Sequence, residues 1–126
     1  MSAVKKTTVL IVDDNRDAAH TLTMLIEGDG YRALTAYDAS AGLQLAKDVS
    51  PDIIFHDIAM PAIDGYMAAR KLRSEAQFAK TFLVALTAYN ASVDRKQALL
   101  AGFDLHLSKP LRYEDLLQVL KRGKKK

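Results

Sequence analysis

Short apolar runs separated by longer stretches of helical period recur five times along this chain, and that alternation is what most constrains its fold. The first run, Val9-Leu10-Ile11-Val12, has no polar break, the pattern of a strand buried on both faces. Ala18, Leu22, Leu25 and Ile26 then fall at i, i+4, i+7 and i+8 and lead into Gly28-Asp29-Gly30, a helix with a glycine exit. Residues 31–36 read as a second strand, and Asp38 caps a weak helix carrying Leu43 and Ala46. Ile53-Ile54-Phe55 is a third strand, with a helix expected from about Asp64 to Arg73. Residues 81–86 form a fourth strand, and a helix over 91–101 is closed by Gly102. Leu105 and Leu107 mark a fifth strand, and Tyr113, Leu116, Leu117 and Leu120 stripe a last helix.

Strands alternating with helices predict an α/β domain, a doubly wound five-stranded parallel sheet with right-handed crossovers. The first, third and fourth strands are continuous apolar runs and belong in the centre. The second and fifth alternate with polar residues and suit edges, which favours the order 2-1-3-4-5. In such a sheet ligands bind at the carboxyl ends of the strands, near the switch point between strands one and three.

At 126 residues the chain fits one domain with a core that needs no staple. We expect an N-terminal extension over 1–6, the folded domain over 7–121 and a lysine-rich, disordered tail over 122–126. The chain has no cysteine, which excludes disulfides and thiolate metal sites and fits a reducing compartment, with cytoplasm the expected location. No apolar run approaches the roughly 20 residues of a membrane span, and residues 1–6 lack a signal-peptide stretch. The net charge of +3 comes from the end of the chain: five of the 18 basic residues occupy the last six positions. The body is mildly acidic, so neither nucleic acid nor a membrane is expected as a partner.

The carboxyl ends of the expected strands carry Asp13-Asp14, Asp57, Thr87 and Ser108-Lys109-Pro110. Three clustered carboxylates repel one another, each pair by on the order of 4 kcal/mol at about 4 Å and an effective dielectric near 20. Raised carboxyl pKa values are one resolution; a hard divalent cation such as Mg²⁺ is another. A phosphoryl group on one aspartate would use Lys109 and the Thr87 hydroxyl as well.

Taken together, Val-Asp-Asp-Asn at 12–15, Pro51-Asp52, Asp57-Ile58-Ala59-Met60-Pro61, Asp64-Gly65, Thr87-Ala88, Ala101-Gly102-Phe103-Asp104 and Lys109-Pro110 resemble the receiver domains of two-component response regulators. The resemblance covers residues 7–121 and implies a flavodoxin-like fold. It implies that Asp57 is the phosphoacceptor, taking a phosphoryl group from a histidine kinase or histidine phosphotransfer domain. It implies Mg²⁺ (or Mn²⁺) held by Asp14, Asp57 and the backbone carbonyl of Ala59, with Asp13 acting through a water. It also implies that Lys109 pairs with a phosphoryl oxygen, that Thr87 carries the switch and that the bond to Pro110 is cis.

The sequence departs from the family at His106, where most receivers carry Tyr or Phe. An imidazole can swing as an aromatic ring does, but it titrates near about pH 6.5, which would couple the switch to pH. Ala59 and Tyr89 stand where polar groups often speed loss of the phosphoryl group, so slow self-hydrolysis is expected. His56 is expected to face away from Asp57 as a packing residue, and His20 to lie on the surface. Met24 and Met67 read as core.

Three other functions fit less well. A haloacid dehalogenase-type phosphatase wants Asp-x-Asp after its first strand. A flavin binder wants a hydroxyl-rich loop where Asp13-Asp14 stand. A degenerate receiver serving as a scaffold would not need Asp14, Asp57, Thr87 and Lys109 together.

Overall fold

The structure, a computed structural model, describes residues 7–58, 65–87 and 95–123. In chain order they form β1 (Thr8–Val12), α1 (Arg16–Gly28), β2 (Arg32–Ala36), α2 (Ala39–Val49), β3 (Ile53–Asp57), α3 (Gly65–Arg73), a 3-10 turn at Ala76–Phe78, β4 (Phe82–Thr87), α4 (Arg95–Ala101), β5 (Leu105–Ser108) and α5 (Tyr113–Arg122). All strands are parallel, in the order β2-β1-β3-β4-β5. The expected architecture and strand order are therefore observed. Every residue of β1 and β3 is buried, and β2 and β5, half-exposed, are the edges.

The strand period of two divides the core into two layers. Val9, Ile11, Phe55, Val84 and Leu86 pack against α1 and α5, through Leu22, Ile26, Leu116 and Leu120. Leu10, Val12, Ile54, Leu83 and Ala85 face α2, α3 and α4, through Ala46, Leu72 and Ala98. Gly42 lets α2 approach β1 closely, since a Cβ there would lie 2.7 Å from a Val12 methyl.

Several expectations change in detail. On α1 the inward stripe is Ala19, Leu22 and Ile26, one position off the expected Ala18, and Leu25 is exposed. Met24 and Met67 are exposed rather than core, because each points outward on its helix. The starts expected at Asp64 and Ala91 lie outside the described residues, and α3 and α4 are described from Gly65 and Arg95. Helix α5 takes in Arg122, the first residue of the expected tail, whose guanidinium lies 5.0 Å from the Phe82 ring centroid.

Candidate functional site at the carboxyl rim

Parallel strands bring their carboxyl ends to one rim, and local sequence aims the side chains. Asn15 ends the β1 loop by capping α1: its side-chain oxygen accepts the Ala18 N–H at 3.1 Å. Its own N–H donates to Asp13 Oδ1 at 3.0 Å, which fixes that carboxylate. Asp57 is the last residue of β3 and shares the α1/α5 face with Phe55 by strand alternation.

The rim assembles Asp13, Asp14 and Asp57 so that one carboxylate oxygen of each lies within 4.8 Å of the others. Asp13 is 2% and Asp57 6% exposed, while Asp14 faces solvent. Lys109 donates to Asp13 Oδ2 at 2.6 Å and to Asp57 Oδ2 at 3.2 Å. Burial opposes its charge, but the Asp13 hydrogen bond and the charges of Asp57 and Asp13 outweigh it and hold its pKa above the ordinary lysine value. The Lys109–Pro110 peptide is cis.

Thr87, at the end of β4, is 1% exposed, and its Oγ1 lies 2.9 Å from His106 Nε2 on the neighbouring β5. Register places His106 beside Ala85 and Ser108 beside Thr87, so the imidazole reaches two residues along the ladder, to the next side chain on its own face. Both residues stand out in the sequence, but nothing in it signals a direct bond between them, because that depends on the register of an edge strand.

His56 is buried on the face opposite Asp57, among the residues beneath α2 and α3. Its Nδ1 lies 2.9 Å from the Asp57 carbonyl oxygen. Burial lowers its pKa more than that bond and the Asp57 and Asp13 charges raise it, so the ring is neutral near pH 7. His20 is exposed. Ala59, Pro61, Asp64 and Tyr89 lie outside the described residues.

What the rim can do follows from its charge. Three carboxylates against one ammonium leave an excess of negative charge in a partly buried site, which suits a divalent cation with oxygen ligands. Among the described residues, Lys109 and the Thr87 hydroxyl are donors available to an anion brought there.

Fold and rim together define a doubly wound α/β domain with an acidic site at the carboxyl ends of its strands. The family model "Response regulator receiver domain" matches residues 9–121, and the chain belongs to that family, the receivers of two-component signalling. It is 31% identical to Protein PilG of Pseudomonas aeruginosa, over 90% of this chain and 84% of that protein. To Protein PilH of the same organism it is 30% identical, over 89% and 93%. It is also 36% identical to hybrid signal transduction histidine kinase D of Dictyostelium discoideum, of which it spans only 8%.

Among solved structures, Vibrio cholerae chemotaxis protein CheY4 superposes with a TM-score of 0.86 at 28% identity, covering 94% of this chain and 99% of that one. The receiver domain of sensor histidine kinase PA1611 from Pseudomonas aeruginosa, solved with a magnesium ion in its active-site cleft, gives 0.83 at 28%, covering 94% and 98%.

Proposed function

We propose that this receiver accepts a phosphoryl group on Asp57 from a phosphohistidine of a histidine kinase or histidine phosphotransfer domain. The observation that carries this is the rim itself: three carboxylates within 4.8 Å and one lysine bonded to two of them. An Asp57 carboxylate oxygen attacks phosphorus, the P–O bond forms as the P–N bond to the donor imidazole breaks, and the electron pair returns to the ring nitrogen. Lys109 leaves the aspartate pair to neutralise a phosphoryl oxygen. The Thr87 hydroxyl donates to another.

The donor set fits Mg²⁺ or Mn²⁺: Asp14 and Asp57 would hold it directly, with the Ala59 carbonyl, and Asp13 through a water. The cation supplies positive charge against the carboxylates and the incoming phosphoryl oxygens. A groove of about 510 Å³, lined by Asp13, Ala18, Leu22, Leu25, Lys109 and Leu111, opens beside the rim and supports docking of the donor along α1.

Thr87 carries the switch, and His106 stands in the place of the usual aromatic ring. For Thr87 to turn to the phosphoryl group it exchanges its bond to His106 Nε2, which transmits the event to β5. His106→Phe removes that bond. Its backbone shifts along β5 on beryllofluoride binding are expected to differ from those of wild type; an unchanged pattern removes His106 from the switch.

The central test is incubation with Mg²⁺ and acetyl phosphate or phosphoramidate, followed by intact mass. A gain of about 80 Da, one phosphoryl group, is expected for wild type and is lost in Asp57→Asn and in excess chelator. A gain retained by Asp57→Asn overturns the assignment.

A further inference from the structure

Between α2 and α3, on the sheet face away from α1 and α5, lies a cavity of about 410 Å³. Its floor is Leu10, Val12 and Ile54, and Leu43 and Leu72 form its walls. Small-molecule sites have such volumes, roughly 300–1,000 Å³, with an apolar lining and a few placed polar groups.

Three polar side chains line it: the buried His56 and the exposed Ser40 and Lys71. His56 borders the cavity and is 2% exposed. A carbonyl oxygen only accepts, so the bond to Asp57 puts the proton on Nδ1 and leaves Nε2 an acceptor. Among the described residues Nε2 has no partner, yet no fully enclosed side-chain nitrogen or oxygen lacks one. Nε2 therefore keeps an opening, and His56 borders this cavity. At the mouth stands Lys71, exposed, and among the described residues it has no ion pair and no acidic residue lines the cavity.

The geometry points to a binding site for a small aromatic acid, its ring on the Leu10, Val12 and Ile54 floor, an O–H or N–H donated to His56 Nε2 and its acid group toward Lys71. The exposed Met67 thioether at the same cavity suits a ring edge. An occupant without an O–H or N–H would leave Nε2 unpaired. This site does not depend on the phosphoacceptor, and binding is read on the unphosphorylated chain without divalent cation.

The probe is 4-hydroxyphenylacetate, followed by backbone amide shifts. Saturable shifts centred on Val12, Leu43 and Leu72 are expected at millimolar or lower concentration. Phenylacetate, which lacks the donor, should bind about five- to tenfold more weakly, the worth of one hydrogen bond. Ala68→Phe, which fills the cavity, should abolish binding. Lys71→Met should reduce the affinity to that of p-cresol, which lacks the acid; as an exposed substitution it carries the test even if Ala68→Phe does not fold. No saturable shift, equal binding of phenylacetate, or binding unaffected by these substitutions overturns the site.

Discussion

The two ends of the sheet treat charge in opposite ways. At the amino end, the Arg73 guanidinium donates from Nε to the Gly102 carbonyl at 2.8 Å and from Nη1 to the carbonyls of Phe78 and Thr81 at 2.7 and 2.9 Å. Its Nη2 meets Asp104 Oδ2 at 2.7 Å, and the same oxygen accepts the Leu83 N–H at 2.9 Å. One cation and one anion thus tie the ends of α3 and α4 to the start of β4. Gly102, at a φ of 115°, lies against the Arg73 stem, where a side chain would clash. At the carboxyl end Lys109 serves two of three carboxylates and a negative excess remains. A satisfied ion pair holds structure together, and an unbalanced cluster is held in readiness for ligands at some cost in stability.

Removing charge should therefore change stability in opposite directions at the two ends, and the largest effect belongs to the amino end. Arg73→Ala takes a donor from three carbonyls, of which that of Phe78 keeps the Thr81 N–H, and among the described residues leaves the Asp104 carboxylate with the Leu83 N–H alone; we expect a loss of about 3 kcal/mol. Urea denaturation measures it. Arg73→Lys should recover less than half, because an ammonium cannot span the same fork of acceptors. A loss below about 1 kcal/mol, the range of ordinary surface pairs, would erase the contrast.

Next in size is the carboxyl end, with the sign reversed. Asp57→Asn removes one member of the repelling set and leaves Lys109 with Asp13, so in metal-free buffer it should be more stable than wild type by about 1 kcal/mol. Mg²⁺ should stabilise wild type by about 2.7 kcal/mol at a hundredfold excess over its dissociation constant, and Asp57→Asn far less. Thermal melts with and without the cation separate these. A destabilised Asp57→Asn would mean that the rim is a balanced ion network like its counterpart.

The sequence exposes these two ends unequally. Runs such as Val9–Val12 and Ile53–Phe55 state burial and period together, so the sheet and its order are legible, and parallel topology then gathers Asp13, Asp14, Asp57, Thr87 and Lys109 at one rim. The Arg73 clamp is not legible. Its acceptors are mostly backbone carbonyls, which every residue has, and only the tertiary fold shows which ones converge. The Thr87–His106 bond is hidden for a related reason, since it depends on register. Leu25, Met24 and Met67 mislead because an apolar residue is no guarantee of burial on a short helix, where a one-position error turns the stripe by about 100°.

Asn15 tests how the two roles meet at the carboxyl end. Asn15→Ala loses the α1 cap and should cost about 1 kcal/mol. Asn15→Asp keeps a capping oxygen and favours the helix dipole, but it adds a carboxylate beside Asp13 and Asp14. If charge excess governs this rim, Asn15→Asp should be no more stable than wild type in metal-free buffer and should gain more from Mg²⁺. A plain gain in stability without cation would make the cap dominant.

The smallest effect sits where α5 begins and α1 ends. Tyr113 Oη donates to Asp29 at 3.0 and 3.2 Å, so an exposed carboxylate is again paired with a donor, as at the amino end. The Asp29 hydrogen bond, then burial and the Asp29 charge, hold the Tyr113 phenol above its ordinary pKa. The bond exists only while the phenol is protonated, so its contribution is complete below the unfolded value of about 10 and is lost as pH rises through the folded one. An absorbance titration of the five tyrosines should show one phenol ionising at lower pH in Asp29→Asn than in wild type, with unfolding at pH 7 almost unchanged. Superimposable titrations would show that this contact is too solvated to matter, unlike the clamp around Arg73.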